Sequence, residues 1–133
     1  MSSLLNKARE AQKKAVAPFS NFPVGAALET TSGKIYTGCN IEVSSYSLTI
    51  CAERVAVFKA ISEGESEFNT MVIATDTTEF CPPCGACRQV LAEYAPAIKI
   101  VLVNSKGLTK HTTISELLPE AFNKNFLKNL KKI

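Results

Sequence analysis

Two short cysteine-bearing segments constrain this chain more than anything else in it. Cys51-Ala52-Glu53 stands at the beginning of one helical pattern, and Pro83-Cys84-Gly85-Ala86-Cys87 opens another. Between them runs Phe68 to Thr75, nearly all apolar or β-branched, as a strand buried on both faces must be. Ile50 to Glu63 is expected as the first of these helices, with Gly64 where a C-terminal cap belongs. Cys84 to Tyr94 is the second, with Pro82-Pro83 placed where prolines favour a helix start.

The flanking segments extend the alternation. Leu4, Leu5, Ala8, Ala11 and Ala15 recur at helical spacing, which predicts a helix from Leu4 to Val16 stopped by Pro18. Val24 to Thr30 and Ile35 to Cys39 read as strands joined by a hairpin turn through Thr31-Ser32-Gly33-Lys34. Asn40 to Ser47 is polar and irregular, hence a loop. Ile98 to Val103 and Thr109 to Thr113 add two strands, and Ile114 to Leu118 and Pro119 to Leu130 two short helices. The order is that of an α/β protein with a mixed sheet and helices on its faces. No repeat, linker or low-complexity stretch divides the 133 residues, so one domain spanning 1–133 is expected.

Composition serves mainly to exclude. With 46% hydrophobic and 20% charged residues the chain is ordinary globular material, not a disordered one. A net charge of +3 neither requires nor rules out a nucleic-acid partner. Met1 to Glu10 lacks the apolar centre of a secretory signal, and no run has the length of a membrane span. A cytoplasmic protein with no membrane partner is the expectation. Five cysteines is an odd number, and three of them crowd between Cys81 and Cys87. In a reducing compartment that clustering points to metal or redox chemistry rather than a disulfide frame.

Cys84 and Cys87, three apart, present their sulfurs on one side of a first helical turn. Cys51 and Glu53, two apart, face nearly opposite ways on a regular helix, so both reach one metal only if it lies off the helix end. Three thiolates and Zn²⁺ sum to −1, a charge that opposes ionisation of a bound water. Two helix N-termini of about +0.5 each offset it, and Arg54 can donate to thiolate sulfur from behind the ligands. A structural zinc site is closed by four protein ligands, whereas a catalytic one keeps a position for water. Cys51, Cys84 and Cys87 with Glu53 nearby fit the catalytic pattern: the metal acidifies its water and Glu53 moves the proton.

Cys-Ala-Glu followed by Pro-Cys-x-x-Cys matches the signature of zinc deaminases in its three-cysteine form. The chain resembles the short, homotetrameric cytidine deaminases over nearly its whole length. Pro18-Phe19-Ser20-Asn21-Phe22-Pro23-Val24-Gly25-Ala26-Ala27, Gly38-Cys39-Asn40-Ile41-Glu42, the segments around both zinc motifs (Tyr46 to Arg54 and Pro83 to Leu91) and Leu117 to Phe122 carry the likeness. It implies a three-layer α/β/α fold with roughly five strands. It also implies one zinc per subunit on Cys51, Cys84 and Cys87, proton transfer by Glu53, and Arg54 holding the thiolates. Phe22 would pack on the pyrimidine, with Ala52 also at the substrate, while Asn40 and Glu42 would read the ribose hydroxyls. Phe122 would enter a neighbouring subunit's site, in a homotetramer with shared active sites. The reaction implied is hydrolysis of cytidine and 2′-deoxycytidine to the uridines and ammonia, as in pyrimidine salvage.

The chain departs from the family pattern at Val43 and at Cys81-Pro82. Cys81 offers a possible fourth sulfur, and with it a rival reading as a closed Cys₄ or redox site. A second rival is a deaminase of a cytosine-containing antibiotic nucleoside or of a base in nucleic acid. No stripe of aromatics interleaved with basic residues supports a nucleic-acid partner. Cys39 reads as a buried small residue and His111 as an ordinary strand residue. Lys124, Lys128, Lys131 and Lys132 read as a solvated helix face. Tyr46 fits either a subunit interface or core packing.

Overall fold

The structure is a computed structural model that describes residues 2–130. Five strands form one mixed sheet in the order β2-β1-β3-β4-β5. They are β1 (Gly25–Thr30), β2 (Ile35–Cys39), β3 (Phe68–Ala74), β4 (Lys99–Val103) and β5 (Thr109–Thr113). β1 pairs antiparallel with both β2 and β3, β3 and β4 are parallel, and β5 returns antiparallel along the edge. The helices are α1 (Ser2–Gln12), α2 (Ala52–Ser62), α3 (Gly85–Tyr94), α4 (Ile114–Leu117) and α5 (Lys124–Leu130), with a 3₁₀ turn at Tyr46–Leu48.

Strand alternation builds two cores. Ala26, Leu28, Met71, Ile73, Ile100 and Leu102 point to one side, where Ala52, Ala56, Val57 and Ala60 of α2 and Leu91 of α3 cover them. Ala27, Val72, Ala74, Val101 and Val103 point to the other, under Leu4 and Ala8 of α1. Side chains alternate with period two, so the continuous apolar runs of β3 and β4 must be covered on both faces. The expected three layers result.

Two glycines set how closely helices approach. A Cβ on Gly38 of β2 would lie 2.4 Å from the Ala52 carbonyl oxygen and 2.6 Å from the Ala56 nitrogen. One on Gly25 of β1 would lie 2.1 Å from the Ala8 carbonyl oxygen. Those two backbones therefore seat α2 and α1 directly on opposite faces of the sheet.

Several boundaries differ from the sequence reading, and at Gln12 and Ile50 the difference has a tertiary cause. The first helix stops at Gln12, well before Pro18. Val16 instead pairs with the 40–42 loop: its N–H donates to the Asn40 carbonyl and its carbonyl accepts from Glu42. Ile50 is not helical, because it exchanges two 3.0 Å backbone hydrogen bonds with Ile41. The loop expected at Asn40 to Ser47 gives way to the 3₁₀ turn at its end. Pro119 to Asn123 stay outside the last helix, where Glu120 takes a left-handed φ of 52°. The Gly64 cap does form: Gly64 N–H reaches the Ile61 carbonyl and Glu65 N–H the Ala60 carbonyl, a complete Schellman closure of α2.

Register then places the site. Gly25 at the start of β1 pairs with Cys39 at the end of β2 and with Ala74 at the end of β3. The segment entering β1, the loop leaving β2 and the loop leaving β3 thus emerge at one edge of the sheet. That edge lies at the carboxyl ends of β2 and β3, where open α/β sheets bind ligands.

Candidate metal centre and substrate pocket

Both cysteine segments open their helices at this edge. Cys51 is the residue just before α2, with extended backbone (φ −79°, ψ 153°), and its carbonyl accepts the first helical hydrogen bond from Val55. Cys84 holds the same place before α3 (φ −66°, ψ 166°). The Ile41–Ile50 pairing keeps Ile50 extended and so leaves Cys51 outside the helix, its sulfur beyond the helix end. That resolves how Cys51 and Glu53, two residues apart, face one site.

The three sulfurs of Cys51, Cys84 and Cys87 lie within 4.8 Å of one another. Cys51 Sγ stands 3.6 Å from Cys84 Sγ, and Cys84 Sγ 3.5 Å from Cys87 Sγ. Thiolates at the Zn–S length sit about 3.8 Å apart around a tetrahedral ion, so the donor set and its spacing fit zinc. Cys81, the possible fourth sulfur, is not in this group; its thiol faces the Pro82 carbonyl at 3.8 Å. Among the described residues the cluster has three ligands, which leaves one tetrahedral position open.

Charge around the sulfurs is arranged as the sequence suggests. Arg54 Nη2 donates to Cys51 Sγ at 3.4 Å, while its buried Nε–H has no partner. Without metal, hydrogen bonds from Cys87, Arg54 and Cys84 hold the Cys51 thiol at about 5, against the opposing effect of burial. Cys87 moves the other way, because its proton is held by the Cys51 sulfur and it is buried. Glu53 is pushed up to about 7, chiefly by burial and further by the Cys51 thiolate.

A cavity of about 350 Å³ adjoins the sulfurs, and Cys51, Glu53, Cys84, Phe22, Asn40 and Glu42 all line it. Ala52 lines it too, so seven of the residues singled out from the sequence share one wall system. Arg54 stands behind it, on Cys51. Asn40 is buried, and its amide is anchored to the backbone with one Nδ2 hydrogen left over: Nδ2 donates to the Phe22 carbonyl at 2.8 Å and Oδ1 accepts from Val24 N–H at 2.9 Å. Phe122 is not brought to this cavity. It is exposed, stacks on Phe126 at 5.8 Å, and its carbonyl accepts from Gln89 Nε2 of α3.

Sequence reasoning assigned no role to Ser20, Thr49 or Thr75, which also line the cavity, as does Cys81, the sulfur of the rival Cys₄ reading. Ser20 carried a signal in its place between Phe19 and Phe22, but its contact with Glu42 needs the fold. His111 lies on the edge strand β5, exposed. Tyr46 is exposed and meets Phe19 edge to face at 5.6 Å, so core packing does not explain it. Cys39 is half-buried rather than buried. Lys124 and Lys128 are exposed; Lys131 and Lys132 lie outside the described residues. A larger open hollow of about 580 Å³ lies beside Arg9 and Lys106, and neither the three sulfurs nor Glu53 line it. There Arg9 is already bound to Gln12 and to the Thr75 and Asn104 carbonyls.

Comparison with known proteins agrees with this geometry. The family profile for the cytidine and deoxycytidylate deaminase zinc-binding region matches residues 1–104. A cytidine deaminase of Sporosarcina psychrophila is 47% identical over 128 residues, covering 96% of this chain and 94% of that one. One from Halalkalibacterium halodurans is 49% identical over 120 residues, or 90% and 91% of the two chains. The crystal structure of cytidine deaminase from Burkholderia pseudomallei superposes with a TM-score of 0.88 at 45% identity, covering 91% of this chain and 98% of that one. The fold and the three-cysteine centre are thus those of a zinc-dependent deaminase. The chain belongs to the cytidine deaminase family.

Proposed function

We propose that this chain hydrolyses the 4-amino group of cytidine and 2′-deoxycytidine, releasing ammonia and leaving the uridines, as an enzyme of pyrimidine salvage in the cytoplasm. The observation that carries the reading is the three-sulfur cluster opening into the same cavity as Glu53, Phe22, Asn40 and Glu42. Residues 1–133 act as one catalytic domain. Cys51, Cys84 and Cys87 hold one zinc, which supplies the Lewis acid that makes water nucleophilic at neutral pH.

Glu53 takes the proton from the attacking water and delivers it to N3 of the pyrimidine, so C4 becomes tetrahedral without separated charge. It then carries the second proton to the amino group, which departs as ammonia. Burial raises the Glu53 carboxyl above the ordinary carboxylate range, which brings its protonated form within easier reach for this traffic. Arg54 and the two helix N-termini keep the thiolate charge from opposing the step. Phe22, with Ala52 beside it, packs on the base, while Asn40 and Glu42 read the sugar. A site that hydrogen-bonds a hydroxyl rejects an analogue lacking it, because its own polar groups are left unpaired.

The chain assembles as a homotetramer with Phe122 reaching into a neighbour's site. Its exposed stack on Phe126 and its distance from its own subunit's cavity support that reading. The substrate is a free nucleoside, with neither nucleic acid nor membrane as partner. No helix among the described residues is long and apolar enough to cross a membrane.

The test follows the ultraviolet spectrum of cytidine with zinc-loaded protein beside Glu53→Gln. Conversion by the wild type and near-total loss in the variant are expected. No conversion by a folded, zinc-replete wild type overturns the cytidine reading, and a cytosine-containing antibiotic nucleoside becomes the next substrate.

A further inference from the structure

The Glu42 carboxylate is held by a strap of chain that sequence reasoning left without a role. Its Oε1 accepts from Phe19 N–H at 2.9 Å and from Ser20 N–H at 3.1 Å, and its Oε2 accepts from the Ser20 hydroxyl. Ser20 Oγ accepts in turn from Phe22 N–H at 3.1 Å. A backbone N–H only donates, so the single Ser20 proton has one place to go, Glu42 Oε2. The Phe22 carbonyl then accepts from Asn40. Asn21, between Ser20 and Phe22, sits at φ 57°, a left-handed turn that asparagine tolerates better than most residues. Glu42, Ser20, Phe22 and Asn40 thus form one hydrogen-bonded chain around the mouth of the cavity, and all four line it.

We propose that Ser20 is a positioning residue for sugar recognition: its hydroxyl orients Glu42 toward the ribose and ties that carboxylate to the segment bearing Phe22. The inference rests on the reading of Glu42 as the sugar contact. Oε1 already takes two donors from the chain, whereas Oε2 takes one and keeps a lone pair for a substrate hydroxyl. The Ser20 hydroxyl is also the foremost cause holding the Glu42 carboxyl below its usual range. Without the hydroxyl, Glu42 keeps its backbone donors but loses the bond that fixes the plane of its carboxylate.

The test compares KM and kcat for cytidine and 2′,3′-dideoxycytidine in zinc-loaded wild type, Ser20→Ala, Ser20→Thr and Glu42→Gln. Ser20→Ala should raise KM for cytidine about tenfold with kcat nearly unchanged, since an oriented, charge-assisted contact is lost from binding. With the dideoxynucleoside, which brings no ribose 2′- or 3′-hydroxyl, the same variant should change KM by under about twofold. Ser20→Thr keeps the hydroxyl and should restore the wild-type values. Equal penalties on both substrates, or none on cytidine while Glu42→Gln shows one, overturn the role of Ser20 and leave that of Glu42 standing. Equal behaviour of Glu42→Gln on both substrates overturns the sugar contact itself, and the inference with it. Ser20→Gly carries the same comparison should the alanine variant fail to retain zinc.

Discussion

At the scale of single residues, the site depends on ionisable groups held away from their ordinary behaviour. Glu53 is 5% exposed and faces a thiolate, and both conditions favour its neutral form. In metal-free protein, carbon-13 NMR of its carboxyl should show a midpoint near 7. Cys51→Ala removes the like charge and should move that midpoint down. A midpoint in the ordinary carboxylate range would show that water reaches the group. Serine in place of Cys51, Cys84 or Cys87 should abolish stoichiometric zinc, read by atomic absorption, while Cys81→Ser should retain it. Thiol titration of the zinc-loaded protein should accordingly find two free cysteines, Cys39 and Cys81, where a closed Cys₄ site would leave one. The cysteines, Glu53 and Arg54 were legible in the sequence because their spacing at helix starts is itself chemical information. Ser20 was not, because its partner Glu42 lies 22 residues away and nothing local announces the bond.

At the scale of elements, the site depends on where two helices begin. α2 begins after Cys51 only because Ile41 withdraws Ile50 into backbone pairing, and it lies flat on β2 only because residue 38 is glycine. Gly38→Ala must push α2 off the sheet by moving backbone, not a flexible side chain. Such overpacking should cost about 3 kcal/mol, read as a lower melting temperature. Because the first turn of α2 carries Glu53 and follows Cys51, zinc affinity should weaken in the same variant; unchanged affinity would show that the site is set locally. This also explains which boundaries the sequence could reveal. β2, the hairpin turn at Gly33 and the closure at Gly64 are encoded by neighbours along the chain, and all were readable. The ends at Gln12 and Ala52 are decided by Val16, Ile41 and Ile50 meeting across the fold, against a local pattern that favours continued helix.

At the scale of the whole molecule, apolar surface remains to be accounted for. Phe19, Tyr46, Leu48, Phe122 and Phe126 are all exposed, and Phe19 meets Tyr46 and Phe122 meets Phe126 in surface pairs rather than singly. In the proposed tetramer, Phe122→Ala should keep its zinc and its Glu53 yet lose most activity. Mixing it with Glu53→Gln protein, dissociating and reassembling, should regenerate activity from two inactive partners. No recovery in verified mixed assemblies would confine Phe122 to its own subunit. The metal also has a part to play that is unrelated to reaction. Its sulfurs come from the starts of α2 and α3, 33 residues apart, with β3 enclosed between them. An ion gripping both ends is a removable staple on that loop. A closure of this length is worth about 3–4 kcal/mol in chain entropy. Stripping zinc should therefore loosen the centre of the sheet as well as silence the pocket, and amide exchange along β3 should quicken when a chelator is added.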